Sequence, residues 1–297
     1  MNLRNLWAYL QERFPVVNMA LFAVLFVTVF SVAGRAGGAG LPPLGWEAVA
    51  GMVATVSFFF RLRVFDEIKD FASDAVLYPR RVLQSGRVVL GQLRRLAWAG
   101  AALELAWSLH RGWPATLAWL ALVGYSLLMR YEFGVPAWLR ARLLLYAVSH
   151  MLIMPLVIGW LGLAYAAGHR FWPGGGLLLA LLSLLGGFAF ELARKTRTAA
   201  AERPGVDSYS KTLGYGGAIG AVLLVLLGGV GVQVRLLGQL GAGRWAFGLL
   251  VGLFALTVAV YAVAWVRPRE KLVRGAELLV SLAMLVSYLA VIVSVRW

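Results

Sequence analysis

The chain contains no cysteine. A disulfide framework, a thiolate nucleophile and thiolate-based zinc sites are therefore excluded. Histidine is scarce as well: His110, His150 and His169 lie far apart, which argues against a histidine-rich metal centre. Charge is the third scarcity. Only 14% of the 297 residues are Asp, Glu, Lys or Arg, against about a quarter in ordinary soluble chains. Apolar residues make up 61%, and the mean hydropathy is +0.79. These values exclude a disordered chain, and a single soluble domain cannot hide so much apolar surface. Lipid can accept it.

The few charges are lopsided, with 28 Lys and Arg against 13 Asp and Glu. In a soluble protein a net charge of +15 would point to nucleic acid. Here the basic residues lie in short loops between apolar runs. Anionic lipid headgroups and phosphorylated substrates account for them better, and nucleic acid is not an expected partner.

A spanning helix needs about 20 mostly apolar residues. The runs that qualify are Val16 to Gly34, Leu44 to Val64, Leu93 to Leu109, Trp113 to Met129 and Leu143 to Gly168. They continue with Gly176 to Ala193, Gly214 to Val232, Trp245 to Val266 and Ala276 to Val295. The third is short and carries Glu104. Residues 1–15 are polar and aromatic and read as an interfacial lead-in, not a cleavable signal peptide. With nine spans, 22 of the 28 basic residues fall on the side of the amino terminus. The positive-inside rule makes that side cytoplasmic. The expected fold is an all-α integral membrane protein: one polytopic domain over residues 1–297, nine helices around a central apolar cavity, amino terminus in the cytoplasm.

Two cytoplasmic segments, 61–92 and 191–213, gather acids and bases together. The first begins RLRVFDEIKDFASD at Arg61. If the second span continues as helix past Phe65, Glu67, Asp70 and Asp74 fall at i, i+3 and i+7 and share a face that Asp66 borders. Like charges so close repel unless cations fill the gap. Oxygen-only ligands suit Mg²⁺, which bridges carboxylates to substrate phosphates. Arg63, Lys69, Arg80, Arg81 and Arg87 are at hand. Carboxylates, a divalent cation and guanidinium groups together make a diphosphate site. The plainer alternative is a solvated loop whose acids offset its bases.

The second segment opens with Glu191, followed by Arg194, Lys195 and Arg197. Glu202, Arg203 and Asp207 come next, around a Pro204–Gly205 turn, then Tyr209 and Lys211. Glu191 and Lys195 have the spacing of an ordinary i,i+4 pair. Glu202 and Asp207 have the better claim as a second metal pole. Two acidic poles with bases between them would grip one diphosphate from two sides.

These two segments resemble the UbiA-type intramembrane prenyltransferase superfamily. Its first motif, NDxxDxxxD, is matched by Asp66 in place of asparagine, Glu67 in place of the first aspartate, then Asp70 and Asp74. Arg81 keeps the following arginine, Val82 replaces the proline, and Ser85, Gly86 and Arg87 keep the serine-glycine-arginine element. The second motif is thinner, with Glu202 and Arg203 standing for its aspartate and arginine and Gly205 and Asp207 close behind. The resemblance implies nine helices and transfer of a prenyl group from an isoprenoid diphosphate, with Mg²⁺, to a small or lipid-like acceptor. It implies a site facing the cytoplasm of a bacterial or archaeal membrane. Asp66, Glu67, Asp70, Asp74, Glu191 and Glu202 are then the catalytic acids. Asp66, Glu67, Asp70, Asp74, Glu202 and Asp207 are the metal ligands. Arg63, Lys69, Arg81, Arg87, Arg194, Lys195, Arg203, Lys211, Tyr209 and His150 bind the substrate. Phe58, Phe59, Phe65, Tyr146, Phe188 and Phe190 are candidates to face a carbocation.

Three other readings compete. A transporter of an anionic or phosphorylated solute would also place polar residues within spans, but it does not need carboxylates gathered at one face. A CDP-alcohol-type phosphotransferase uses clustered aspartates, yet Phe71, Ala72 and Ser73 follow Asp70 where its pattern calls for glycine. A non-catalytic scaffold would tolerate loss of the acids.

Overall fold

A computed structural model describes residues 2–38, 41 and 43–297, and among them the only regular structure is helical. A short amphipathic helix, α1 (Leu3–Arg13), leads into α2 (Val16–Gly37). The charged helix α3 (Trp46–Leu77) follows, then α4 (Leu90–Arg111) and α5 (Trp113–Arg130). After the short α6 (Pro136–Arg140), the next long element is broken into α7 (Leu143–Met151) and α8 (Ile153–Leu163). The break falls at Leu152, just ahead of Pro155, which has no N–H to offer the carbonyl of Met151. One turn, α9 (Gly168–Phe171), precedes α10 (Leu177–Arg194). The chain then forms α11 (Tyr209–Leu213), α12 (Tyr215–Gln239), α13 (Arg244–Val266) and α14 (Glu270–Arg296).

Seven helical segments among the described residues are long and apolar enough to cross a membrane. The expected third and fourth spans are helices too, α4 and α5, but fall outside that group. Arg94, Arg95, Glu104 and Arg111 dilute α4, and Pro114, Thr116, Tyr125, Ser126 and Arg130 dilute α5. Successive long helices pack side by side, and α14 closes the ring against α2. Close crossings depend on small residues. A Cβ on Gly51 would sit 2.3 Å from the ring of Phe26, and one on Gly100 would sit 2.4 Å from Ser57 Oγ. Glycine there lets α3 lie directly against α2 and α4.

The middle of the bundle is packed with Phe26, Phe30, Phe58, Trp160 and Phe171, all essentially inaccessible. In place of the expected central apolar cavity, large aromatics fill this part of the interior. Open volumes lie toward both helix ends, one beside Asp70 and Tyr146 and another beside Trp46 and Arg111. A buried ion pair crosses the same interior. Arg61 donates to Glu104 at 2.7 Å, with Ser57 and Trp119 Nε1 also on the carboxylate at 3.1 Å. Arg61, expected in the first cytoplasmic segment, is thereby committed to holding α3 to α4. Glu104 is an interhelical anchor.

At 1.5 Å per residue, the 32 residues of α3 extend about 48 Å, well beyond a hydrocarbon core of about 30 Å. The final turns must therefore leave the apolar layer. The charged segment expected to begin as a loop at residue 61 is helix as far as Leu77, and the acids Asp66, Glu67, Asp70 and Asp74 all lie on it. Likewise Glu191 and Arg194 are still on α10.

Candidate active site

The ends of α3 and α10, the start of α7 and the end of α5 surround a cavity of about 520 Å³. Because α3 is unbroken, Asp66, Asp70 and Asp74 recur at every fourth residue and line one wall. Asp66 is half exposed, with Lys69 Nζ at 3.5 Å. Asp70 makes no ion pair among the described residues, so its carboxylate is the least committed of the three. Asp74 is held by Arg81 at 2.5 Å and by Arg13 at 3.6 Å.

Glu67 turns away from this wall. It is buried, accepts from Arg13 at 2.7 Å and Arg63 at 2.8 Å, and has the hydroxyl of Tyr9 at 3.5 Å. Expected as a metal ligand, it serves here as a clamp that fixes α1 across the flank of α3. Burial, with the charge of Glu67 beside it, pushes the Tyr9 phenol pKa well up, so Tyr9 stays a neutral donor.

The floor and side of the cavity are built by α7. Lys69 Nζ donates to Tyr146 Oη at 2.7 Å, and the Tyr146 ring stacks on His150 with centroids 4.0 Å apart. His150 Nδ1 lies 2.8 Å from the carbonyl of Tyr146. Among the described residues its Nε2 has no hydrogen-bond partner, although the residue is only 8% exposed and lines the cavity. Phe59, Phe65 and Tyr146 line the cavity as well. Phe58 lies beneath, against Trp160. Phe188 and Phe190 pack into a separate core around Tyr209 and Tyr261.

Opposite the α3 wall stand Glu191, Arg194 and Lys195. Here the bland reading of the sequence holds: Lys195 bonds Glu191 at 2.8 Å, and Arg194 bonds its other oxygen. The remaining residues of the second motif do not reach the cavity. Glu202 accepts from Ser208 Oγ at 2.5 Å and has Lys211 Nζ at 3.6 Å. Lys211 also donates to the carbonyls of Arg203 and Val206 at 2.7 and 2.6 Å. These bonds stitch the loop to itself. Arg203 and Asp207 are exposed outside it. Tyr209 is buried under Lys195, whose carbonyl accepts its backbone N–H at 3.1 Å. Burial and the Glu191 charge raise its phenol pKa. Arg87 is exposed, in the turn that Gly86 makes at φ 76°. Glu202 and Asp207, expected as a metal pole, and Arg87, Arg203, Lys211 and Tyr209, expected around the substrate, are thus not brought to the lining of this cavity. A loop satisfies its own charges when they are near in sequence.

Three contributors were missed from sequence, one of them Arg130 at the end of α5, which lines the cavity. Arg13 reaches the cavity from α1, 54 residues before its partner. Glu132, buried in the α5–α6 turn, takes Arg140 at 2.8 Å and has Lys69 at 3.9 Å. Its bond raises the Arg140 pKa above the usual guanidinium value. Glu132 and Phe133 both have left-handed φ, at 49° and 56°, a strained pair of the kind that a functional rim tolerates. Two successive non-glycine residues in that region leave no sequence signal.

Among the described residues, no three acidic or histidine side chains converge into a ready-made metal cage. The donors still fit Mg²⁺. They are hard carboxylate oxygens one turn apart, and Mg²⁺ takes one or two carboxylates and completes its shell with phosphate oxygens and water. Asp70, with Asp66 or Asp74, would hold it.

No protein-family model and no curated protein matches the sequence. Solved structures do match. A digeranylgeranylglyceryl phosphate synthase superposes with a TM-score of 0.68 at 17% identity, over 98% of this chain and 99% of that one. The apo form of a UbiA homolog from Aeropyrum pernix K1 gives 0.64 at 18%, over 89% and 95%. At such identity the likeness is one of fold, and it bears out the resemblance read from the two motifs: over nearly its whole length this chain has the fold of the UbiA-type intramembrane prenyltransferases.

Proposed function

We propose that the protein transfers a prenyl group from an isoprenoid diphosphate to a small or lipid-like acceptor, with Mg²⁺ and release of diphosphate. The observation that carries this reading is the cavity at one end of a UbiA-type bundle, where three carboxylates face a cationic wall across about 520 Å³. The basic surplus on the same side supports a cytoplasmic mouth. We read α4 and α5 as spans too, which gives nine.

In the reaction the allylic C–O bond breaks, its electron pair leaves with the diphosphate, and the carbon bonds the acceptor, which gives up a proton. Arg81, Arg63 and Lys69 on one side and Arg194 and Lys195 on the other neutralise charge growing on the leaving group. Bound Mg²⁺ supplies further charge stabilisation on those oxygens. Phe59, Phe65 and Tyr146 present ring faces to the electron-poor carbon. Met129, Ile153 and Met154 keep the inner end of the cavity dry. His150 Nε2, free to hydrogen-bond, orients the acceptor or takes its proton. The prenyl tail lies along the methionines toward the lipid. A through-path for a transported solute is disfavoured by the aromatic packing that closes the centre of the bundle.

The test is diphosphate release from the purified protein with farnesyl, geranylgeranyl and longer diphosphates, in Mg²⁺ or EDTA. Membrane lipid and soluble extract supply the acceptor, and products are read by mass. Mg²⁺-dependent release with a new prenylated mass is expected. Absence of both release and binding by a folded sample would defeat the reading.

A further inference from the structure

The sequence leads one to expect two acidic poles around the substrate. The cavity has one. Asp66, Asp70 and Asp74 belong to α3, and the opposite wall offers a single carboxylate, Glu191. Both of its oxygens are already engaged, one by Lys195 and the other by Arg194. Glu202 and Asp207, the other candidates, are outside the cavity. A second divalent cation at this wall would meet one neutralised carboxylate and two fixed positive charges, so it would gain few ligands and suffer repulsion. The cavity is also cationic before any metal enters it: seven Lys and Arg side chains line it against four carboxylates. That excess is comparable with the charge of a diphosphate ester.

We infer that the cavity takes its diphosphate with a single divalent cation, on the Asp66–Asp70–Asp74 wall, and that Arg194 and Lys195 hold the other end of the diphosphate directly. The ammonium and guanidinium groups do the work of a second metal ion. Their charge cannot be chelated away, and their donors are fixed at the end of α10. This inference rests on the isoprenoid-diphosphate reading and sharpens it. The unpartnered Nε2 of buried His150, on the same cavity, independently marks the volume as a ligand site.

The experiment is a Mn²⁺ titration of the full chain in lipid nanodiscs with inorganic diphosphate present. Bound metal is counted by electron paramagnetic resonance, and diphosphate affinity is measured by calorimetry. One Mn²⁺ per chain is expected, with no spectrum of a coupled metal pair. Lys195→Gln, which keeps a hydrogen-bond donor beside Glu191, and the double variant Arg194→Ala/Lys195→Ala should keep that stoichiometry. The double variant should lose at least about tenfold in diphosphate affinity. Two bound Mn²⁺ per wild-type chain overturns the inference and leaves the prenyltransferase reading standing. So does a double variant that still melts as wild type and binds diphosphate within twofold of it. Failure of the wild-type chain to bind diphosphate at all in Mn²⁺ defeats the underlying reading and, with it, this one.

Discussion

The ends of α3 and α10 meet across the same cavity and are built from the same residue types, yet they are set up for opposite tasks. On α3 the acids repeat at every fourth residue, and their cationic partners come mostly from elsewhere: Arg81 from the following turn and Arg13 from α1. Asp70 is left without an ion pair among the described residues. On α10 the lone acid is neutralised by residues three and four positions further along. A carboxylate whose partner lies on its own helix is spent locally. One whose neighbours are other carboxylates remains available to a ligand. Counting acids in a motif does not separate these cases; the contacts each carboxylate makes in the fold do.

The largest break in this comparison should come from Asp70→Asn. Turnover should fall by about a thousandfold or more, the scale of losing a metal ligand at a leaving group, while the melting temperature holds. Normal turnover would remove the α3 wall from the chemistry. EDTA should mimic the variant without unfolding the protein.

Next in size is a test on an acid that is neither wall. Glu104→Ala leaves Arg61 buried and uncompensated. It should cost about 3–5 kcal/mol of stability, seen as a large drop in thermal midpoint. A paired change of Arg61 and Glu104 to Met and Leu should recover most of that loss. If the single variant melts as wild type, the interhelical anchor is misassigned.

Glu191→Gln should be mild by contrast. Removing one already neutralised charge is worth on the order of 1 kcal/mol, so about fivefold in KM for the diphosphate substrate, with kcat close to wild type. A collapse of kcat would make the two walls equivalent. Smallest of all, Glu202→Gln should change turnover less than about twofold and soften the loop by about 1 kcal/mol. Steady-state kinetics beside a melting curve separate these two effects.

Much of this was readable in the chain. Helical phase carries across a membrane boundary, so spacing alone brings Asp70 and Asp74 to one face. It also puts Glu67 on that face with Asp66 at its border, and the structure exchanges those two. Hydropathy located most of the long helices to within several residues, but it ended the second run at Val64 where α3 continues to Leu77. It placed the start of the last one at Ala276, because Glu270, Lys271 and Arg274 read as a loop; they belong to α14, where Arg274 bridges Glu270 and Glu277. What stayed hidden depends on tertiary packing. Glu67 shares the motif with Asp70, yet α1 packs on its side of α3 and takes it. Arg61 sits among loop arginines in sequence and is buried in the bundle. Glu132 comes near Lys69 only because of the α5–α6 turn.

Closure of the ring by α2 against α14 also sets an order of events during synthesis. Arg296 donates to Ser31 Oγ at 2.7 Å across 265 positions of sequence. At about 5–20 residues per second, α2 waits in the bilayer for tens of seconds before that neighbour exists. Its hydroxyls are prepared for the wait. Thr28 donates to the carbonyl of Val24 at 2.8 Å and Ser31 to that of Val27 at 2.7 Å, bonds within α2 that need no other helix. The nascent helix can therefore idle in lipid without an unsatisfied hydroxyl, and the ring of helices closes only when the last one arrives.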